Sequence, residues 1–255
     1  MPRTARAARG GLCYHVINRG NARNRVFHSS DDYDAFMQLF HKACARVEMR
    51  VLAYCLMPNH FHFCLWPRED SHLRRFMHWL LTSHVARHRK AHKTTGHIWQ
   101  GRFKAFPAQS SEHLLTVLRY IERNPVRAKL CTRAEDWQWS SARLWVGSGS
   151  FSPAGGEEVH DPLSLAPERA PKDGDGPSAN NAGDSPLSHG PVKRPADWLA
   201  FVRIAENSED LAALRASVNK GTPFGSERWV KLNAPKLGLV HTTRLRGRPR
   251  KSAGV

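Results

Sequence analysis

Apolar positions along the first 145 residues switch between two periods, and each switch marks an element. GLCYHVINR (11–19), MRVLAYCLM (49–57), HFHFCLW (60–66) and GRFKAFPAQ (101–109) are short runs rich in aromatic and β-branched residues, as strands are. Between them the spacing lengthens. Tyr33, Phe36, Met37, Phe40, Cys44 and Val47 recur every three or four residues after the capping sequence SSDD (29–32), which predicts an amphipathic helix. Leu73, Phe76, Met77, Leu80 and Leu81 predict a second helix. Leu114, Leu118 and Ile121, behind a capping Ser111, predict a third. The order β-α-β-β-α-β is the split βαβ, ferredoxin-like arrangement: an α+β fold with an antiparallel sheet whose first and third strands are central.

Strand alternation makes the third strand unusual. His60, His62, Cys64 and Trp66 point one way, and Phe61, Phe63 and Leu65 the other. The second set suits the face packed by the two amphipathic helices, so the histidines project from the opposite face. Two imidazoles at i and i+2 can converge on one divalent metal. They can equally be two polar residues on a sheet face, or part of a His–His–Cys zinc site completed by Cys64. In LLTVLRYIERNPVRAKL (114–130), Tyr120 and Asn124 are one helical turn apart and off the Leu114/Leu118/Ile121 stripe, with Arg123 and Arg127 on or near their side. A tyrosine flanked by basic residues fits nucleophilic attack on a phosphate, although a phenol with a pKa near ~10 needs help to attack. Alone, Tyr120 reads equally as an amphipathic residue at a core rim. Pro125 disfavours helical geometry at Asn124.

Charge narrows the partner. The 255 residues carry a formal net charge of +17, which favours a polyanion such as nucleic acid. No run approaches the ~18 apolar residues of a membrane span. The five cysteines are odd in number and contain no CxxC pair, which suits reduced thiols in a cytoplasm. The charge is uneven: 24 Lys/Arg against 10 Asp/Glu in residues 1–145, 4 against 7 in 146–195, and 11 against 5 in 196–255. The domains predicted are therefore 1–146, a disordered Gly/Pro/Ser/Asp-rich linker over 147–195, a small helical DNA-binding module over 196–241, and a basic tail over 242–255. In that tail Arg246, Arg248 and Arg250 form RGRPR, similar to an AT-hook core that enters a narrow A·T minor groove.

The joint pattern MPNHFHFCLW (57–66) and RYIERNPVRAKL (119–130) resembles the single-tyrosine His-hydrophobe-His transposases, and among them the REP-associated tyrosine transposases. YHVINRGNARNRVF (14–27), IWQGRFKAF (98–106) and DWQWSSARLW (136–145) extend the resemblance over roughly residues 10–145. It implies a metal-dependent DNA endonuclease and strand transferase acting on single-stranded or hairpin DNA. His60, His62 and Asn124 would hold Mg²⁺ or Mn²⁺, and Tyr120 would form a 5′-phosphotyrosine. Arg19, Arg25, Arg102, Lys104, Arg123 and Arg127 are candidate phosphate contacts, and Trp99, Phe103 and Phe106 candidate base-stacking or core rings. Trp137, Trp139 and Trp145 are expected to pin the segment after the third helix. The expected setting is the cytoplasm, near the nucleoid, as a monomer or a homodimer. Two other readings compete: a DNA-binding regulator that keeps the fold without cleaving, and a ferredoxin-like RNA-binding module reading bases from an exposed sheet face.

Overall fold

The computed structural model describes residues 8–146 and 187–243. Four strands, β1 (Cys13–Arg19), β2 (Met49–Met57), β3 (His60–Pro67) and β4 (Lys104–Ala108), form one antiparallel sheet in the order β2-β3-β1-β4. The central pair is β3 and β1, as the β-α-β-β-α-β order requires. The fourth strand is shorter than the apolar run suggests. It lies at the sheet edge, where Pro107 is tolerated because its missing N–H costs no second ladder.

Helices α1 (Ser30–Arg46) and α2 (His72–His92) pack on one face of the sheet. Helix α1 begins at a reciprocal capping box in which Asp32 accepts from the Ser29 backbone N–H and Ser29 from that of Asp32. Phe36 and Phe40 of α1, Phe61, Phe63 and Leu65 of β3, and Phe76 and Leu80 of α2 are fully buried together. Trp99 belongs to this core, against Phe61 at 5.2 Å between ring centroids, and so serves packing and not base stacking.

A second core covers the other face. Helix α3 (Glu112–Glu122), capped by Ser111, lays Leu114, Leu118 and Ile121 on Cys13, Cys55, Cys64 and Trp66. The RNA-binding reading required this face to be open; the helix covers it. A short α4 (Asn124–Arg127) follows after one residue, with Pro125 in its first turn, where a proline costs no hydrogen bond. Trp137 then donates to the Leu56 carbonyl at 2.7 Å, and Trp139 stacks on Tyr33 at 3.9 Å, which pins this segment back on the domain.

The C-terminal helices α5 (Trp198–Arg203), α6 (Ser208–Lys220), α7 (Glu227–Lys236) and α8 (Val240–Thr243) begin within the stretch read as a helical module, with Ser226 capping α7. They share the second core: Trp198, Val202, Leu214 and Phe224 are buried with α3. The predicted linker over 147–195 needs correction at its end. Leu187 bridges to Val51 of β2 and is buried in the first core, while Arg194 donates to the Leu52 carbonyl at 2.5 Å and lies over Trp145 and Trp198. Residues 187–195 are thus docked on β2, because their apolar and guanidinium groups find partners that composition alone does not reveal. Residues 147–186 and the tail arginines Arg246, Arg248 and Arg250 lie outside the described residues.

Candidate active site

Alternation along β3 sends His60 and His62 toward α3, away from the phenylalanine core. His62 is buried and His60 half-buried, with ring centroids 5.0 Å apart. Tyr120, in the last turn of α3, is also buried and presents its ring edge-on to His62 at 5.7 Å. The predicted nucleophile and the histidine pair therefore meet across the interface between helix and sheet. Asn124 is buried as well, and its Nδ2 donates back to the Tyr120 backbone carbonyl at 3.2 Å, so the two residues stay in contact across the break before Pro125.

A third histidine, which the spacing argument missed, completes the cluster. His15 of β1 sits opposite Cys64 in the ladder, on the site's face of the sheet. Its Nε2 lies 2.9 Å from Nδ1 of His62, and its ring meets both Tyr120 at 5.8 Å and Phe106 at 5.2 Å. Phe106 is thereby a packing residue. On the other imidazole, Nδ1 of His60 lies 2.6 Å from Oδ1 of Asn59. Strand alternation is the signal that could have found His15, because Cys13, His15, Ile17 and Arg19 share one face and only one of the inner three is strongly polar.

Burial keeps the imidazoles neutral. His60 is pushed down to about 4 and His15 to about 3, and His62 lies well below its usual range, in each case through burial first and then neighbouring positive charge. Neutral imidazoles retain the lone pair that a metal needs. Burial holds the Cys64 thiol well above its ordinary range, the wrong direction for a thiolate ligand. Among the described residues no group of three or more His, Cys, Asp or Glu is arranged to hold a metal, so the His–His–Cys zinc alternative finds no support. Two neutral imidazoles and an amide oxygen are donors that a divalent cation accepts, and the amide nitrogen of Asn124 is already engaged by the Tyr120 carbonyl.

The basic residues divide into two groups. Arg19, Arg25, Arg102 and Lys104 are exposed. Arg19 pairs with His60 and Lys104 with Ile17 in the ladders, so both lie on the histidine side. A cleft of about 330 Å³ opens beside His60, lined by Arg23, Arg25, Met57, Asn59 and Leu130 among others. Arg123 and Arg127 behave differently. Glu206, in the turn before α6, pairs with both, at 3.2 Å to Arg123 and in a shorter contact with Arg127. Arg127 also lies over the Tyr120 ring at 4.0 Å and donates to its carbonyl. Here these two arginines hold the C-terminal helices and the tyrosine, through Glu206 and the Tyr120 carbonyl. Glu122 is a second such anchor: fully buried, it accepts from Ser141 and Trp198, each at 2.6 Å.

Comparison with known proteins gives a consistent family. Residues 9–124 match the family model described as "Transposase IS200 like", a span that contains His60, His62 and Tyr120 and ends on Asn124. A Haemophilus influenzae protein provisionally named a REP-associated tyrosine transposase is 25% identical over 145 residues, 52% of this chain and 80% of that protein. Among solved structures, a REP-associated tyrosine transposase bound to a REP hairpin aligns at 21% identity and TM-score 0.46, over 63% of this chain and 94% of that one. A Deinococcus radiodurans structure provisionally named a transposase aligns at 17% identity and TM-score 0.35, over 51% of this chain and 95% of that one. Residues 9–124 are thus similar to the IS200-like transposase family.

Proposed function

We propose that the protein is a metal-dependent endonuclease and strand transferase of single-stranded DNA, with hairpin-forming repeats as its substrate and Tyr120 as its nucleophile. The observation that carries this reading is the packing of the Tyr120 ring against His62, with His60 beside it and an open, arginine-lined cleft at the mouth. His60, His62 and Asn124 would hold Mg²⁺ or Mn²⁺. When bound, the ion supplies Lewis-acid polarisation of the scissile phosphate. Histidine suits Mn²⁺ better than Mg²⁺, which prefers oxygen ligands.

The remaining steps belong to the protein. Arg19, Arg25, Arg102 and Lys104 would grip the backbone on either side of the cut, with an unpaired strand in the cleft beside His60. Tyr120 Oη attacks phosphorus, the P–O3′ bond breaks, and the phenolic proton ends on the released 3′-oxygen. The product is a 5′-phosphotyrosine and a free 3′-OH. A second 3′-OH can reverse the chemistry and join new DNA, because the ester is conserved. Hairpin DNA carrying an unpaired foot, incubated with Mn²⁺ and resolved on a denaturing gel, tests the reading. A covalent adduct is expected from the wild type and none from Tyr120→Phe. Binding without any adduct would favour the non-cleaving regulator.

A further inference from the structure

The two histidines each have one ring nitrogen occupied, and in both it is Nδ1. On His60 the partner is Asn59, in the turn between β2 and β3. Asn59 Nδ2 donates to the Arg23 carbonyl at 2.9 Å. A carbonyl only accepts, so the atom facing it is the amide nitrogen, and the atom facing His60 is the amide oxygen. That oxygen also only accepts. His60 Nδ1 therefore carries the proton, and its Nε2 keeps the lone pair.

On His62 the partner is His15 Nε2, at 2.9 Å. Position 15 stands in a row with Cys13 and Ile17 in the buried interface, where an apolar ring would pack without cost. His15 instead leaves its Nδ1 buried with no hydrogen-bond partner. Such a loss is expected where a side chain serves another residue's chemistry. Metal-bound histidines characteristically donate their second ring N–H to a fixed acceptor, which sets tautomer and ring orientation.

We propose that Asn59 and His15 are positioning residues that fix the His60 and His62 tautomers, so that both rings turn Nε2 toward one divalent cation. The inference rests on the proposed metal role of the histidine pair. It also gives the 20–24 turn a purpose. Ala22 and Arg23 both have positive φ, at 51° and 63°, an unfavourable region for residues other than glycine. A Cβ on Gly20 would lie 2.3 Å from the Asn24 carbonyl oxygen, so the turn closes tightly. This strained turn delivers the Arg23 carbonyl to Asn59 while Arg23 and Arg25 line the cleft beside His60.

Mn²⁺ affinity of the full chain without DNA, read from the free-ion EPR signal, separates the possibilities, with thermal melting in the absence of metal as the control for folding. Asn59→Ala and His15→Leu are each expected to weaken Mn²⁺ binding about 10- to 100-fold. Asn59→Asp keeps an acceptor for His60 but loses the Arg23 bond, and His15→Gln keeps a hydrogen-bonding group for His62. Both should bind Mn²⁺ far better than the Ala and Leu variants. A merely structural Asn59 would make Asp as harmful as Ala, and that result overturns the proposal. Unchanged affinity in Asn59→Ala and His15→Leu, with binding abolished by His62→Ala, overturns this inference alone. Wild-type Mn²⁺ binding that survives His60→Ala with His62→Ala overturns the proposed metal site and this inference with it. If His15→Leu does not fold, imidazole ¹⁵N–¹H correlation spectra of the wild type decide the matter. His60 must show the Nδ1–H tautomer in the metal-free chain and lose it in Asn59→Ala; an Nε2–H tautomer in the wild type sinks the proposal.

Discussion

Phe61 and Phe63 leave β3 on one side, and His60 and His62 on the other. Both sides are covered by helices, yet they bury different chemistry. Under α1 and α2 the ring of Phe63 meets Phe40 at 4.9 Å and stacks on Phe61 at 4.3 Å, in a layer of aromatic and aliphatic side chains that also buries His84 and His88 of α2. Under α3 the interface holds three histidines, a tyrosine, an asparagine and the carboxylate of Glu122. A fold optimised only for stability would fill both layers alike, since each buried polar group must be hydrogen-bonded or lose free energy. The contrast teaches that one face of a strand can hold the structure together and so free the other to carry costly, chemically useful groups.

The largest effect expected from breaking this contrast is at the nucleophile. Tyr120→Phe removes one oxygen from the functional layer, so covalent adduct formation should vanish while hairpin affinity in a gel shift stays within a few-fold of wild type. Adduct persisting at wild-type levels would take Tyr120 out of the role. On the opposite face, Phe63→Ala should cost about 3–5 kcal/mol in urea unfolding, as expected for a fully buried aromatic ring. At a temperature where the variant remains folded it should still form adduct, because no atom of the site is altered.

A smaller loss is expected at the outer edge of the α3 layer. Glu206→Gln leaves Arg123 and Arg127 without their counter-charge. Breaking a fully buried pair costs about 3–5 kcal/mol; these arginines keep some exposure, so about 2 kcal/mol is expected in chemical denaturation. The two released guanidiniums should also raise hairpin affinity at low salt. A variant as stable as wild type would show that the pair does not anchor the C-terminal helices.

The gentlest probe is acid. Burial depresses His15 and His84 to about 3 and His60 to about 4, whereas the unfolded residues titrate near ~6.5. Between those values the unfolded chain binds more protons than the folded one, so stability rises with pH. Acidification from about 6.5 toward 4 should therefore lower the unfolding free energy, by up to about 1.4 kcal/mol per pH unit for each such histidine, and the melting temperature with it. His84 lies in the phenylalanine core, against Phe36 at 4.9 Å. His84→Leu should thus flatten the acid limb without touching cleavage, whereas His15→Gln should flatten it and leave the metal site working. An acid limb identical in all three proteins would mean that neither histidine governs it.

Much of this was legible in the chain alone. Period-two runs gave the four strands, and period-3.6 stripes with Ser29 and Ser111 gave helix starts, because backbone geometry and local capping depend on residues only a few positions apart. The same locality brought out His60, His62, Tyr120 and Asn124, whose spacings repeat within one strand and one helical turn. Tertiary structure decided what acts across sequence. It joined His15 to His62 over 47 residues, Asn59 to Arg23 over 36, and Arg127 to Glu206 over 79. It also seated Leu187 beside Val51 and paired Arg123 and Arg127 with Glu206 of the C-terminal segment. The physical reason is that strand and helix periods state which way a side chain points, but its partner is chosen by sheet register and helix docking, and these follow from packing of the whole chain.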